Sequence, residues 1–319
     1  MKEGIFLNQK QKGLIAACAG NFIFGLSFLF SAVAFSVGAK CFEHTNVLPG
    51  ADVPSVLAIR FTFALVIMTM VMPIMKIKLR LKGKPVWKLI LLGTFQPVIY
   101  FIGESFGIKM TDAVVSSVII GTVPVVAQIF SSVYLKEKPT IQQVIFCMIS
   151  IVGVGMITFF SGGENQKTYF LGIICLLVAV FSAVAFNALG RENSKIFTPF
   201  EQTYMMFVVG AVFFWIYAIV FSKGNIPLIL SPVQEPSFIL SIFYLGGLSS
   251  VGAYLMINYA NTYLPITQTT AFTNLIPVIS TIAGFIINRR FDIVVGVCCF
   301  IIVIGVWGVQ KYAKNTGTV

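Results

Sequence analysis

Charge is what this chain has least of. Of its 319 residues, 10% are Asp, Glu, Lys or Arg, where a soluble domain carries about 25%. So few charges cannot cover a surface in water, and the solvent of most of this surface is expected to be lipid. Histidine is nearly missing: His44 is the only one, which leaves no basis for a histidine metal centre, and no metal is expected. The six cysteines fall at 18, 41, 147, 175, 298 and 299, five of them inside apolar runs and none in a C-x-x-C pair. They read as small apolar packing residues rather than ligands or disulfide partners. Neither a G-x-G-x-x-G nor a Walker sequence occurs, so no nucleotide and no other cofactor is expected. Low-complexity tracts and long polar linkers are missing too. The net charge is +11, but the cations sit in short loops between apolar runs rather than on one polar face, which argues against nucleic acid.

What the chain has is apolar length. Hydrophobic residues make up 57% of it, and the mean hydropathy is +0.93. A helix of about 20 apolar residues crosses a bilayer, and ten such spans are expected at 13–38, 55–75, 87–108, 113–135, 141–160, 169–189, 201–222, 237–259, 266–287 and 293–312. Lys2, Lys10 and Lys12 precede the first. That run is too long for a signal peptide and is expected to be a retained helix. Asp112 and Pro265 punctuate the weakest boundaries. With the N-terminus in the cytoplasm, fifteen of the 22 Lys and Arg fall in inner loops, six in outer loops, and Arg60 within a span. The bias places both termini inside a cell membrane crossed many times.

Two stretches 153 residues apart say nearly the same thing. GTVPVVAQIFSSVYLKEK (121–138) and NLIPVISTIAGFIINRR (274–290) each hold a Pro-Val, at Pro124 and Pro277, and each runs into a cationic pair. The reading is an all-α polytopic membrane protein of two five-helix halves, 1–160 and 161–319. Because five is odd, the second half enters the membrane inverted.

Ionisable groups at membrane depth cost roughly 2.5–3.5 kcal/mol on insertion scales. Arg60 and Glu104 are expected roughly 6–8 Å below the outer boundary, on consecutive spans, where they can pair. Either they orient the helices, or Glu104 carries a proton and Arg60 meets an anionic group. Polar residues at helical spacing mark a cavity wall: Gln96, Tyr100 and Glu104 at steps of four; Ser117, Gly121, Pro124 and Gln128; Thr270, Asn274, Pro277 and Thr281; with Asn21, Asn187, Tyr254 and Asn258. Interhelical hydrogen bonding is the competing account of these groups.

Taken together, these residues resemble the EamA-type drug/metabolite transporters. The resemblance rests on Arg60-Phe61, on the Glu104–Ala113 junction (family pattern E-x-x-A-L-K-Y-T-S-A), on Pro124, Lys136-Glu137, Gly153 and Gly155, and on Pro277 and Gly305. It spans about residues 13–312. The family's Gly-Glu after span nine reads Asn288-Arg289-Arg290 here, so a symmetric role for Glu137 is not implied. The resemblance implies a ten-helix secondary transporter that moves a small organic metabolite (amino acid, amine or drug-like compound) by alternating access, as an exporter. Protons are the candidate coupling ion, and a monomer or homodimer the candidate assembly. An organic-phosphate or nucleotide-sugar exchanger of the same superfamily remains an alternative, as does a non-transporting sensor or assembly subunit. A membrane-embedded enzyme would need clustered acid–base groups, which the chain lacks.

Overall fold

A computed structural model describes residues 8–43, 45, 47–134, 140–142, 144–146, 148–149, 152–153, 156, 166–264, 269–270, 272–288 and 293–312, and among these residues the regular structure is all helical. The longer helices are α1 (Gln9–Phe42), α2 (Asp52–Ile74), α3 (Trp87–Gly93), α4 (Tyr100–Met110), α5 (Ala113–Ile120), α6 (Val123–Tyr134), α7 (Gln166–Asn193), α8 (Pro199–Phe221), α9 (Pro236–Ile242), α10 (Tyr254–Tyr263), α11 (Leu275–Asn288) and α12 (Ile293–Lys311). Wide-turned π-helical segments, Thr94–Ile99 and Phe243–Ala253, join α3 to α4 and α9 to α10.

Among the described residues, six stretches are long and apolar enough to cross a membrane: Gln9–Phe42, Asp52–Ile74, Trp87–Met110, Thr168–Asn193, Pro199–Phe221 and Pro236–Tyr263. Shorter apolar helices stand at Val115–Ala127, Leu275–Gly284 and Gly296–Gly305. They occupy the places of the spans expected at 113–135, 266–287 and 293–312. Half of the span expected at 141–160 lies outside the described residues, as do His44, Lys136, Glu137, Pro265, Arg289 and Arg290. The outer surface is apolar: Ile74, Leu240, Ile293 and Phe300 are all well exposed, and side chains of this kind are untenable as a continuous surface in water.

Local chemistry explains the helix ends. Asn8 and Gln11 form a capping box on α1, and Thr198 and Glu201 form another on α8, whose first residue is Pro199. The Asp112 side chain accepts from Val115 N at 2.9 Å, which starts α5 at the punctuation expected from sequence. Several spans depart from expectation, α1 for one running Gln9–Phe42 rather than 13–38. The α2 helix begins at Asp52 rather than 55, because buried Asp52 accepts from Lys109 Nζ at 2.5 Å and is held in the bundle. The third span is not one continuous helix: Gln96 has extended backbone angles (φ −141°, ψ 111°), next to Pro97, which brings no N–H to a helical ladder.

Both helices of the repeat are interrupted close to their prolines. Gly121 and Thr122 separate α5 from α6, and a short 3-10 turn, Phe272–Asn274, precedes α11. The two meet, since a Cβ built on Gly121 would lie 2.9 Å from Pro277 Cγ. The most extensive pairings are α2 with α8 and α4 with α7, and α1 lies against α10 and α11. Segments from the two ends of the chain therefore interleave around one core. Trp215 Nε1 donates to Thr62 Oγ1 at 2.7 Å, Tyr244 OH to Ile23 O at 2.9 Å and Ser182 Oγ to Phe95 O at 2.6 Å.

Candidate functional site

The helix break at Gln96 shapes the centre of the bundle. Its side chain borders the same small cavity as Tyr100 and Glu104 and donates from Nε2 to Tyr254 OH, on α10, at 2.5 Å. One turn along, Tyr100 OH donates to Glu104 Oε1 at 2.8 Å. Phe24, Phe101, Phe186 and Phe207 surround the Tyr254 ring with centroids 5.0–6.4 Å away, so the phenol is wedged in an aromatic cage.

Two cavities meet at these residues. The larger, about 50 Å3, is lined by Asn21, Phe24, Gln96, Tyr100, Asn187, Tyr254 and Thr270, with Thr269, Thr273 and several aliphatic side chains. The smaller, about 20 Å3, shares Phe24, Gln96, Tyr100 and Tyr254 and adds Ser27, Arg60, Phe101 and Glu104. A water needs roughly 10–15 Å3 on this measure, so the two hold a few waters at most. An organic ligand site is typically ~300 Å3 or larger. Neither cavity, as described, has room for an organic molecule.

Arg60 is 2% exposed. Its guanidinium carbon stands 4.4 Å from the centroid of Phe101 and 5.7 Å from that of Phe61. Nε donates to Ser250 Oγ at 3.2 Å and an Nη to Ser249 Oγ at 3.4 Å. The ion pairs among the described residues are Lys84–Glu201, Lys88–Glu192 and Lys109–Asp52. Arg60 and Glu104 are not a fourth: they border one cavity, the first held by hydroxyls and aromatic faces, the second by a phenol. That arrangement leaves a basic and an acidic side chain buried at one cavity without direct mutual contact.

Of the ten residues expected to line the cavity, Asn21, Gln96, Tyr100, Asn187, Tyr254 and Thr270 border it. Ser117 is buried but does not line it. Asn258 points elsewhere, donating from Nδ2 to Thr203 Oγ1 at 2.8 Å. It belongs to a seam of amides between α7, α8 and α10. There Asn261 Nδ2 donates to Asn187 Oδ1 at 3.2 Å, while both polar atoms of Gln202 and the oxygens of Asn258 and Asn261 are buried with no protein partner. The side chains of Gln128 and Asn274 lie outside the described residues. Pro124 and Pro277 are buried at the helix breaks. Ser249 and Ser250, unremarked in sequence, are the anchors of Arg60; two adjacent hydroxyls within an apolar span were the available signal.

Comparison with known proteins agrees with this architecture. The sequence matches the EamA-like transporter family in two stretches, 11–159 and 170–310. An uncharacterized transporter of Bacillus subtilis (strain 168), YcxC, is 29% identical over 317 residues, 97% of each chain. YyaM of the same organism is 25% identical over 202 residues, 63% of this chain and 65% of its own. An uncharacterized transporter of Archaeoglobus fulgidus is 25% identical over 210 residues, 65% of this chain and 71% of its own. One solved crystal structure superposes with a TM-score of 0.63 over 94% of this chain and 98% of that one; at 11% identity the likeness concerns the fold alone. With two matched stretches covering most of its length, the chain belongs to the EamA-like transporter family and is a membrane protein with several apolar helices.

Proposed function

We propose that the protein is a secondary-active exporter of a small organic metabolite, an amino acid, amine or drug-like compound, working by alternating access rather than as an enzyme. The observation that carries this reading is the pair of central cavities. Arg60 and Glu104 border one of them at membrane depth, Gln96, Tyr100 and Tyr254 are common to both, and the walls come from both ends of the chain. Cavities this small admit cargo only after the helices around them move apart, which fits alternating access. The reading includes ten spans in two inverted halves, 1–160 and 161–319, with both termini cytoplasmic in the cell membrane. The two family matches and the contact of Gly121 with Pro277 support it. One chain carries both halves, so a monomer suffices.

Glu104 is assigned the coupling proton. Its carboxyl is buried and takes one hydrogen bond from a phenol, so protonation changes the charge of the cavity directly. The alternative, an organic-phosphate or nucleotide-sugar exchanger, calls for several cations around the cargo. Among the described residues lining either cavity, Arg60 is the only cation, which ranks that cargo second.

The test begins with a thermal-shift screen of purified protein against amino acids, amines, nucleosides, sugar phosphates and cationic dyes at two pH values. Flux of the stabilising class is then followed in proteoliposomes. The expected result is a shift from one zwitterionic or cationic class, and loss of proton-driven flux in Glu104→Gln with the protein still inserted. Undiminished pH-driven flux in that variant removes Glu104 from the coupling role.

A further inference from the structure

We propose that the strap joining α2 to α3, residues 76–84, is a docking site for the headgroups of anionic phospholipids. The α2 helix ends at Ile74 and α3 starts at Trp87. Ile74, Met75 and Trp87 are 78, 64 and 61% exposed. Apolar and indole side chains flanking a strap between two lipid-crossing helices put it at the level of the headgroups.

Exposure along the strap alternates. Lys76, Lys78, Arg80 and Lys82 are exposed, whereas Ile77, Leu79 and Leu81 are half-buried and pack on the core. Between Ile77 and Leu81 this period of two is that of an extended chain, so Lys78 and Arg80 project from one side, about 6.5 Å apart at the usual rise, with Lys76 and Lys82 flanking them at the two turned ends.

The strap is pinned rather than loose. The Glu201 carboxylate, at the start of α8, accepts from Arg80 N at 2.9 Å and from Lys84 Nζ at 3.0 Å. Lys84 also lies over the Phe197 ring, and Lys88 Nζ meets Glu192 at 2.7 Å. These contacts occupy the two nearby acids, Glu192 and Glu201, with Lys84 and Lys88. The four outward cations make no ion pair among the described residues. They form an unbalanced row of charge held on an ordered backbone.

The entry to the strap adds a second sign. Lys76 has φ +54°, with Ile77 N donating to Met72 O at 2.9 Å. This is the left-handed helix stop that glycine fills most easily, and the chain places a lysine there. A row of fixed cations in the headgroup plane recognises phosphodiester anions, and bilayer lipid is the source that meets it there.

The experiment uses the full chain in zwitterionic nanodiscs and in discs of graded phosphatidylglycerol content, read by melting temperature. Phosphatidylglycerol is expected to raise the melting temperature by several degrees, with the gain shrinking at high salt. The variant Lys76→Gln/Lys78→Gln/Arg80→Gln/Lys82→Gln should melt like the parent in zwitterionic discs and lose the gain. A charge-matched variant at Lys10, Lys12, Lys195 and Lys311 should keep it. Equal stabilisation by both lipids, an unchanged gain in the strap variant, an equal loss in the charge-matched variant, or the same gain from inorganic phosphate in zwitterionic discs would each overturn the proposal.

Discussion

Replacing Gly103 by alanine tests the packing that aims the cavity residues. Gly103 lies on α4 between Tyr100 and Glu104, and a Cβ built there stands 2.5 Å from the backbone oxygen of Cys175 and 3.2 Å from Ala179 Cβ, both on α7. Close C···O contacts sit at about 3.3 Å or more, so the helices must part by roughly 0.8 Å. The obstacle is a backbone carbonyl inside a helix, which cannot swing aside as a side chain can. A gap of about 0.5–1 Å forfeits roughly a quarter to a half of each dispersion contact along the face, and overpacking costs about 1–3 kcal/mol. We take about 3 for this site, because α4 and α7 form one of the two most extensive helix pairs. Alanine returns about 1 kcal/mol of helix propensity. The net loss is about 2 kcal/mol, roughly a 30-fold rise in the unfolding constant. Gly190→Ala, further along α7, is the internal control. Its nearest neighbour would be at 3.5 Å, an ordinary contact, so it should be neutral or gain up to about 1 kcal/mol. Both are read by reversible unfolding in mixed micelles. Gly103→Ala within about 0.5 kcal/mol of the parent, a spread typical of inconsequential substitutions, would refute the reasoning.

Three further outcomes are expected. In a double-mutant cycle, Gln96→Leu and Tyr254→Phe each strand a buried partner, so the pair should cost about 1 kcal/mol less than the sum of the singles; strict additivity would show that their 2.5 Å contact contributes nothing. Ser250→Ala should lower stability by about 1.5 kcal/mol, and Ser249→Ala by less because its bond to Arg60 is longer, with thermal melts giving the order. Glu201→Ala should release Arg80 N and Lys84, and limited trypsin digestion should cut the 76–84 strap several-fold faster at an unchanged level of insertion.

Much of the architecture could be read from residues with a local mechanism. Asp112 marks a helix start because its carboxylate caps one, and Pro124 and Pro277 mark interruptions because neither brings an N–H. Asn21, Gln96, Tyr100, Asn187, Tyr254 and Thr270 stood out as polar groups in apolar spans, and the cavity collects them. Gln96 reached it by a route that periodicity cannot describe, since a four-residue step assumes a continuous helix and the backbone is extended at that residue. The wide turns of Phe243–Ala253 leave no trace in hydropathy, yet they bring Ser249 and Ser250 to Arg60. Asn258 shares a face with Tyr254 but lies one turn beyond it, where Thr203 of α8 meets it before the cavity does. What pattern reading misses is which neighbour stands opposite a polar group.

The α7 helix is gripped unequally along its length. Toward its start, the glycines of α4 and its own Gly172 bring backbones into close contact at Cys175, Leu176 and Met110. Toward its end, the neighbours are the amides of Gln202, Asn258 and Asn261, with four buried polar atoms that no protein group satisfies. Each such atom costs about 1–3 kcal/mol while it stays dry, and water entering the seam refunds that cost. Parting the helices at the first end loses dispersion with no compensation; parting them at the second is offset by hydration. The consequence is an asymmetry: separating α7 from its neighbours is expected to cost more at the glycine contacts than at the amide seam.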